Sequence, residues 1–217
     1  MGLRDELLRT PGLTEFLDPL VPAGASPYVP GAAPGREIRI VEPDPTWPEQ
    51  AEAVIARIRG ALGPVADDVE HVGSTSVAGL PAKPILDIDL RVPDPDDEAA
   101  YVPALETAGF RLAVREPWWY GHRLLRGTAP AVNLHVFPPD SPESARQRLF
   151  RDWLRTHPED RARYAEAKRE AAAAAQAAGE HVQQYNARKQ AVLREIYARL
   201  FADAGLPGRG SDRIPDV

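Results

Sequence analysis

Asp87 and Asp89 stand one residue apart in Ile85-Leu86-Asp87-Ile88-Asp89-Leu90, shortly after the small-residue turn Gly73-Ser74-Thr75-Ser76. This order suits a protein that holds a nucleoside triphosphate together with its magnesium. The residues around the acids are β-branched and apolar and lie between Pro84 and Pro93, which predicts a strand. Alternation sends Leu86, Ile88 and Leu90 into a core and both carboxylates to the opposite face, about 6–7 Å apart. Two ionised acids side by side repel each other and are costly to desolvate, so they need a cation or an open, solvated face. Magnesium, or manganese in its place, meets that need with oxygen ligands. Gly73, Ser74 and Ser76 follow a short strand expected at 69–72 and offer backbone donors and hydroxyls for wrapping an anion, and Lys83 adds a mobile positive charge. A Gly-Ser turn alone is usually only a turn, and an Asp-x-Asp alone is often a solvated strand edge. Their conjunction on adjoining elements is what points to a nucleotide site.

The Gly73-Ser74 turn followed by Asp87-x-Asp89 is similar to the nucleotidyltransferase superfamily, with its DNA polymerase β-like fold. Three further stretches narrow the resemblance: His71-Val72-Gly73-Ser74-Thr75-Ser76-Val77 with Gly79-Leu80 and Ala82-Lys83-Pro84-Ile85, then Asn133-Leu134-His135-Val136-Phe137, then Phe150-Arg151-Asp152-Trp153-Leu154-Arg155. Over about residues 37–201 the chain resembles the GrpB family, a domain also found fused behind dephospho-coenzyme A kinase in some bacteria. The resemblance implies an α+β fold: a nucleotidyltransferase-like mixed β-sheet with flanking helices and a C-terminal helical bundle. It also implies a nucleotide-handling site, but no particular reaction or substrate.

Enzymes of that superfamily carry a third carboxylate on a neighbouring strand. Here the corresponding strand is Ala131 to Phe137, whose Val132, Leu134 and Val136 form a buried face and leave Asn133 and His135 on the side of the expected acid. Histidine takes up a proton near neutral pH, so His135 is the candidate base, although it is a poorer magnesium ligand than an acid. The plainer alternative is a histidine hydrogen-bonded within a sheet face.

Other candidate residues follow from position. Arg151, Lys168 and Lys189 stand at characteristic places in the GrpB-like pattern and would bind phosphate. Tyr164 and Tyr185 each precede one of the lysines by four residues, so both pairs can face one cleft. Ordinary surface lysines with aromatic packing are the alternative. His71, His122, Arg123, Asn133 and Tyr185 are candidates for the acceptor side, and Trp118-Trp119-Tyr120 either stack a ring or close a core.

These residues need a scaffold, and the sequence outlines one. Residues 1–36 read as an N-terminal extension, with a short helix between Thr10 or Pro11 and Leu17 and then a Pro/Gly/Ala stretch without regular structure. An α/β core spans 37–140, with a first strand at Glu37–Val41, an amphipathic helix at Trp47–Leu62, a helix at Tyr101–Ala108, a strand at 110–116, a loop from Trp118 leading into a strand that turns back at Gly127, and a strand at 131–137. From 141 to 204 the period changes to about 3.6, which predicts three helices broken at His157-Pro158 and Gly179 and packed on the core. Residues 205–217 read as a flexible tail.

Composition sets limits on partners. The 217 residues are 43% hydrophobic, enough for one sizeable core. A net charge of −6 argues against nucleic acid as the partner and favours a small nucleotide and a small-molecule acceptor. The absence of cysteine excludes disulfides and Cys-ligated zinc. No apolar run reaches membrane-spanning length and no signal peptide is evident, so a cytoplasmic location is expected. Three functional classes fit this sequence. The first is a magnesium-dependent nucleotidyltransferase using ATP or another nucleoside triphosphate, with an amide ligase acting through an adenylated carboxylate as its variant. The second is a nucleotide-binding module without turnover, and the third is a docking protein that uses its helical tail.

Overall fold

Alternating apolar residues build one five-stranded sheet from β1 (Val69–Val72), β2 (Leu86–Arg91), β3 (Phe110–Glu116), β4 (His122–Thr128) and β5 (Ala131–Phe137), in the order β1-β2-β5-β4-β3. β2 and β5 run parallel while the other neighbours are antiparallel, so the sheet is mixed, as the α+β reading requires. The computed structural model describes residues 2–17, 21–35 and 37–206.

On one face Leu86, Ile88 and Leu90 of β2, Leu125 of β4 and Leu134 and Val136 of β5 are buried. Two helices supply the other half of that layer: α2 (Trp47–Leu62), which buries Ala51, Val54, Ile58 and Leu62, and α3 (Val102–Thr107), which buries Leu105. Each of the leucines, isoleucines and valines among them contributes roughly 1.5–3 kcal/mol of burial. A slip of β2 by one residue would therefore drive Asp87 and Asp89 into an apolar layer, which fixes the register.

The opposite face carries the chemistry and is covered by helices. α4 (Pro142–Thr156) is capped by Ser141, whose hydroxyl accepts the Ser144 N–H, and has Pro142 in its first turn. α5 (Pro158–Ala177) follows the His157-Pro158 break. The single last helix expected from the sequence is instead two, α6 (Val182–Arg188) and α7 (Gln190–Asp203), divided at Lys189. The alanines Ala171, Ala172 and Ala175 of α5 pack against Ile38 and Tyr185, where only small side chains let the segments come close.

The N-terminal segment is docked on the rest of the molecule. Its helix is α1 (Leu3–Leu7), not a helix at 10–17, because Pro11 and Gly12, the latter at φ 72°, interrupt that stretch. Leu7 and Leu13 are buried among α4, α5 and α7, and the Arg146 guanidinium donates to the carbonyls of Gly12, Leu13 and Glu15. Tyr28 pairs with Val114 at the outer edge of β3. Glu37–Val41 does not become a sheet strand. Only Val41 pairs, with Ala82, because Ile38 is occupied against α5. Of the tail expected at 205–217, residues 207–217 lie outside the described residues, while Leu206 packs on the helical cluster. No helix among the described residues is long and apolar enough to cross a membrane.

Candidate functional site

A cleft of about 930 Å³ opens between the polar face of the sheet and the C-terminal helices, roofed in part by Phe16 and Tyr28 of the N-terminal segment. Seven lysine and arginine side chains line it against three carboxylates. The cleft thus carries a local positive excess in a chain of net charge −6.

Asp87 lies at the floor of the cleft. The parallel register sets it opposite Asn133, whose Nδ2 donates to Asp87 Oδ1 at 3.0 Å. His135 Nε2 lies 3.8 Å from the same oxygen. Burial alone would raise the Asp87 pKa, but the nearby His135, the hydrogen bond from the Asn133 amide and the charge of Lys83 together bring it below the usual carboxylate value. Gly73 sits directly against this carboxylate. It holds φ 68°, ψ −168°, and a methyl built on it would come within 2.8 Å of Asp87 Cβ. Gly73 thus seats Asp87, and it needs to be glycine for both backbone and space. Gly73→Ala is expected to lose about 1–3 kcal/mol from strain alone. Ser74→Ala next to it should stay within about 0.5 kcal/mol. Equal urea midpoints for the two variants would refute the close approach.

Asp89 does not share the environment of Asp87. It is fully buried, its Oδ2 accepts from Arg148 Nε and Ser144 Oγ, each at 2.7 Å, and it does not line the cleft. Arg148 also bonds Asp68 at 2.5 Å and Glu70 at 3.1 Å, and Arg91 Nε donates to Ser144 Oγ at 2.7 Å. Both aspartates do project from the same face of β2, as alternation requires, but the first half of α4 covers one and leaves the other open. The expected magnesium or manganese centre built on Asp87 and Asp89 therefore does not fit these residues. A guanidinium already holds the second carboxylate, and no group of three His, Cys, Asp or Glu gathers to hold a metal ion among the described residues. Asp89 is corrected to a buried ion-pair residue that ties α4 to the sheet.

Three lysines converge beside Asp87 from three separate segments. Lys83 precedes β2 and lies 5.6 Å from the Tyr185 ring centre. Lys168 of α5 donates to the Pro81 carbonyl at 2.5 Å, and Lys189 at the α6–α7 break donates to the Tyr164 hydroxyl at 3.3 Å. The rings of Tyr164 and Tyr185 lie 5.4–5.7 Å from these ammonium groups. Burial holds Lys168 well below the usual lysine range, reinforced by the charges of Lys189 and Lys83 and opposed by Asp87, and burial also lowers Lys83. None of the three forms an ion pair among the described residues. Tyr185 is 1% exposed and belongs to this wall, not to a separate acceptor side.

His135 is connected backwards into the sheet. Its Nδ1 lies 3.1 Å from His122 Nε2, and His122 Nδ1 lies 2.8 Å from Glu116 Oε2, so the register Glu116↔His122 and Leu124↔His135 lines the groups up across three strands. His122 is almost fully buried, and that burial lowers its pKa against the pull of Glu116.

Other expected roles change with placement. Arg123 points to the opposite face, where it pairs with Asp96 and Glu98, because its neighbours His122 and Leu124 take the cleft side. Alternation from His122 leads instead to Arg126, which lines the cleft and was not singled out. Arg151 reaches the cleft wall, but its guanidinium is committed to Glu70, Asp152 and the His71 carbonyl, so it buttresses the wall and is not a free phosphate ligand. Ser76 donates to the Gly73 carbonyl at 2.6 Å and closes the turn, whereas Ser74 does line the cleft. His71 bonds Thr75 at 2.9 Å behind the turn, away from the acceptor side, and burial pushes its imidazole down to about 4. Trp119 lines the cleft and packs edge-on against His122. Glu116 and Arg148 carried no local sequence signal, since their partners are distant in the chain.

Comparison with known proteins gives consistent relatives. The family model described as GrpB protein matches residues 37–199. The UPF0157 protein BH1888 of Halalkalibacterium halodurans is 42% identical over 200 residues, 92% of this chain and 98% of that one. The dephospho-CoA kinase of Mycolicibacterium paratuberculosis is 31% identical over 76% of this chain, which spans 46% of that protein. The crystal structure of GrpB from Enterococcus faecalis superposes with a TM-score of 0.66 at 28% identity, covering 77% of this chain and 99% of that one.

Proposed function

Since this chain belongs to the GrpB family, we propose that its cleft binds the phosphates of a nucleoside triphosphate, ATP being the first candidate, and serves nucleotidyl transfer to a small-molecule acceptor. The observation that carries this reading is the convergence of Lys83, Lys168 and Lys189 beside Asp87, none of them in an ion pair among the described residues. Gathering three ammonium groups around the buried Lys168, with Lys83 and Lys189 half-buried beside it, is costly, and an anionic ligand offsets that cost. A polyphosphate supplies enough charge to meet all three.

In that arrangement the lysines hold the phosphates and favour departure of pyrophosphate. The acceptor lies over Asp87, its nucleophilic atom attacks the α-phosphorus in line, and His135 Nε2 takes its proton. No resident metal enters this sequence of events.

A second reading, nucleotide holding without turnover, is favoured by the commitment of Asp89 to Arg148, which removes the second carboxylate from the cleft. One experiment separates the two. The purified protein is incubated with each triphosphate and a pool of small metabolites while pyrophosphate release and mass gain are followed. A gain of one nucleotide on an acceptor is expected, with His135→Ala lowering the rate more than the affinity. AMP released only with an amine present would instead identify the ligase variant. Binding without product would leave the holding module, and the absence of triphosphate binding at millimolar concentration would refute both.

A further inference from the structure

Glu116, His122, His135 and Asp87 form a line with a carboxylate at each end and two imidazoles between, the successive separations being 2.8, 3.1 and 3.8 Å. Each separation needs one proton to become a hydrogen bond, so the fully bonded line holds three. Two neutral imidazoles carry only two N–H groups. The third proton makes the histidine pair singly positive, and when it leaves, one separation must be left with two acceptors facing each other. The widest is the 3.8 Å one between His135 Nε2 and Asp87 Oδ1, and of the three it is the one nearest the three lysines. At the other end Glu116 accepts from His122 Nδ1–H, and His122 Nε2 then accepts from His135 Nδ1–H.

We infer that Glu116 and His122 are positioning residues that fix His135 in its Nδ1–H form, so that its Nε2 lone pair is presented beside Asp87 to take one proton from whatever occupies the cleft. The inference deepens the role given to His135 above and rests on that reading for the identity of the proton donor, but the proton order itself is a property of the ligand-free protein. Without the pair behind it, His135 would donate Nε2–H to Asp87 and have no lone pair to offer. Stacking of His122 on Phe137 and on His135, with ring centres 4.7 and 5.3 Å apart, holds both rings in the required planes. Among the described residues, Glu143 of α4 also acts on His122, and Lys83 acts on Asp87 at the far end of the line.

The test is histidine 15N NMR on the ligand-free protein across pH, since each ring nitrogen reports whether it carries hydrogen. On the alkaline side both His122 and His135 are expected to show Nδ1–H and a lone pair on Nε2, and acidification should place the added proton on His135 Nε2. Glu116→Leu should reverse the order. With no acceptor left for His122 Nδ1–H, His122 turns its hydrogen to Nε2 and donates to His135 Nδ1, so that both rings carry Nε2–H and the His135 lone pair facing Asp87 is lost. A wild-type His135 that is Nε2–H while neutral would overturn the proposal even if the variant failed to fold. So would a folded Glu116→Leu protein with unchanged ring signals. Triphosphate binding measured on the same samples keeps the two ideas apart: the expected proton order without nucleotide binding sinks the nucleotide reading alone, and binding with the wrong order sinks the relay alone.

Discussion

Lys168→Met is expected to weaken triphosphate binding by about 10- to 100-fold, the loss of one charge-assisted hydrogen bond of roughly 1.5–3 kcal/mol. It is also expected to leave the protein at least as stable as before. The Lys168 side chain is 2% exposed, bonds only a carbonyl, and shares its surroundings with two more lysines. Methionine has nearly the same length and no charge to desolvate, so the variant sheds that penalty and loses one hydrogen bond of about 1 kcal/mol. The sign of the pH dependence follows from the depressed Lys168 pKa. Between that lowered value and 10.5 the unfolded state binds a proton that the native state does not, so wild-type stability rises with pH there. Any advantage of the methionine variant should therefore be largest at neutral pH and fade as pH approaches 10.5. Calorimetric titration with ATP and denaturant unfolding at two pH values measure both halves. A variant that unfolds more easily while binding ATP unchanged would make Lys168 a scaffold residue and remove the main support for the phosphate site.

The second large effect concerns Arg148. Arg148→Met should cost about 3–5 kcal/mol, because it leaves the fully buried Asp89 carboxylate with only the Ser144 hydroxyl and deprives Asp68 and Glu70 of a shared partner. For a chain of this size that is a fall in melting temperature on the order of 10 °C. Asp89→Asn should cost less, since Arg148 keeps two carboxylates, and the double variant should fall well short of the sum of the singles. The same measurement bears on the metal. If Asp89 were a ligand shared with Asp87, magnesium would raise the melting temperature and a chelator would lower it. With Asp89 held by Arg148, neither should shift it in the absence of nucleotide. A magnesium-dependent rise in the ligand-free protein would reinstate the two-aspartate centre.

Much of this molecule was legible in its residues, for reasons that are local. Period-2 alternation in Leu86–Arg91 and Ala131–Phe137 gave both strands and their buried faces, because a sheet buried on one side allows only one register. The apolar stripe of Trp47–Leu62 and the His157-Pro158 break set helix limits in the same way, and the long run around Gly73-Ser74 pointed to the family that the comparisons support. The tyrosine-before-lysine spacing brought Lys168 and Lys189 to one cleft, as the helical repeat suggested.

Whatever depended on which surface lies over which was decided by tertiary structure. Alternation puts Asp87 and Asp89 on the same side of β2 but does not say that α4 will lay Ser144 and Arg148 over one of them and stop short of the other. Arg151 and Arg123 had suitable chemistry, yet carboxylates 81 and 25 residues away in the chain claimed them first. The line from Glu116 to Asp87 crosses four strands and exists only because their pairing aligns it. Sequence spacing fixes direction along one element, whereas the partner of a charge is set by packing between elements, and electrostatic energy depends on that partner and on the water excluded around it.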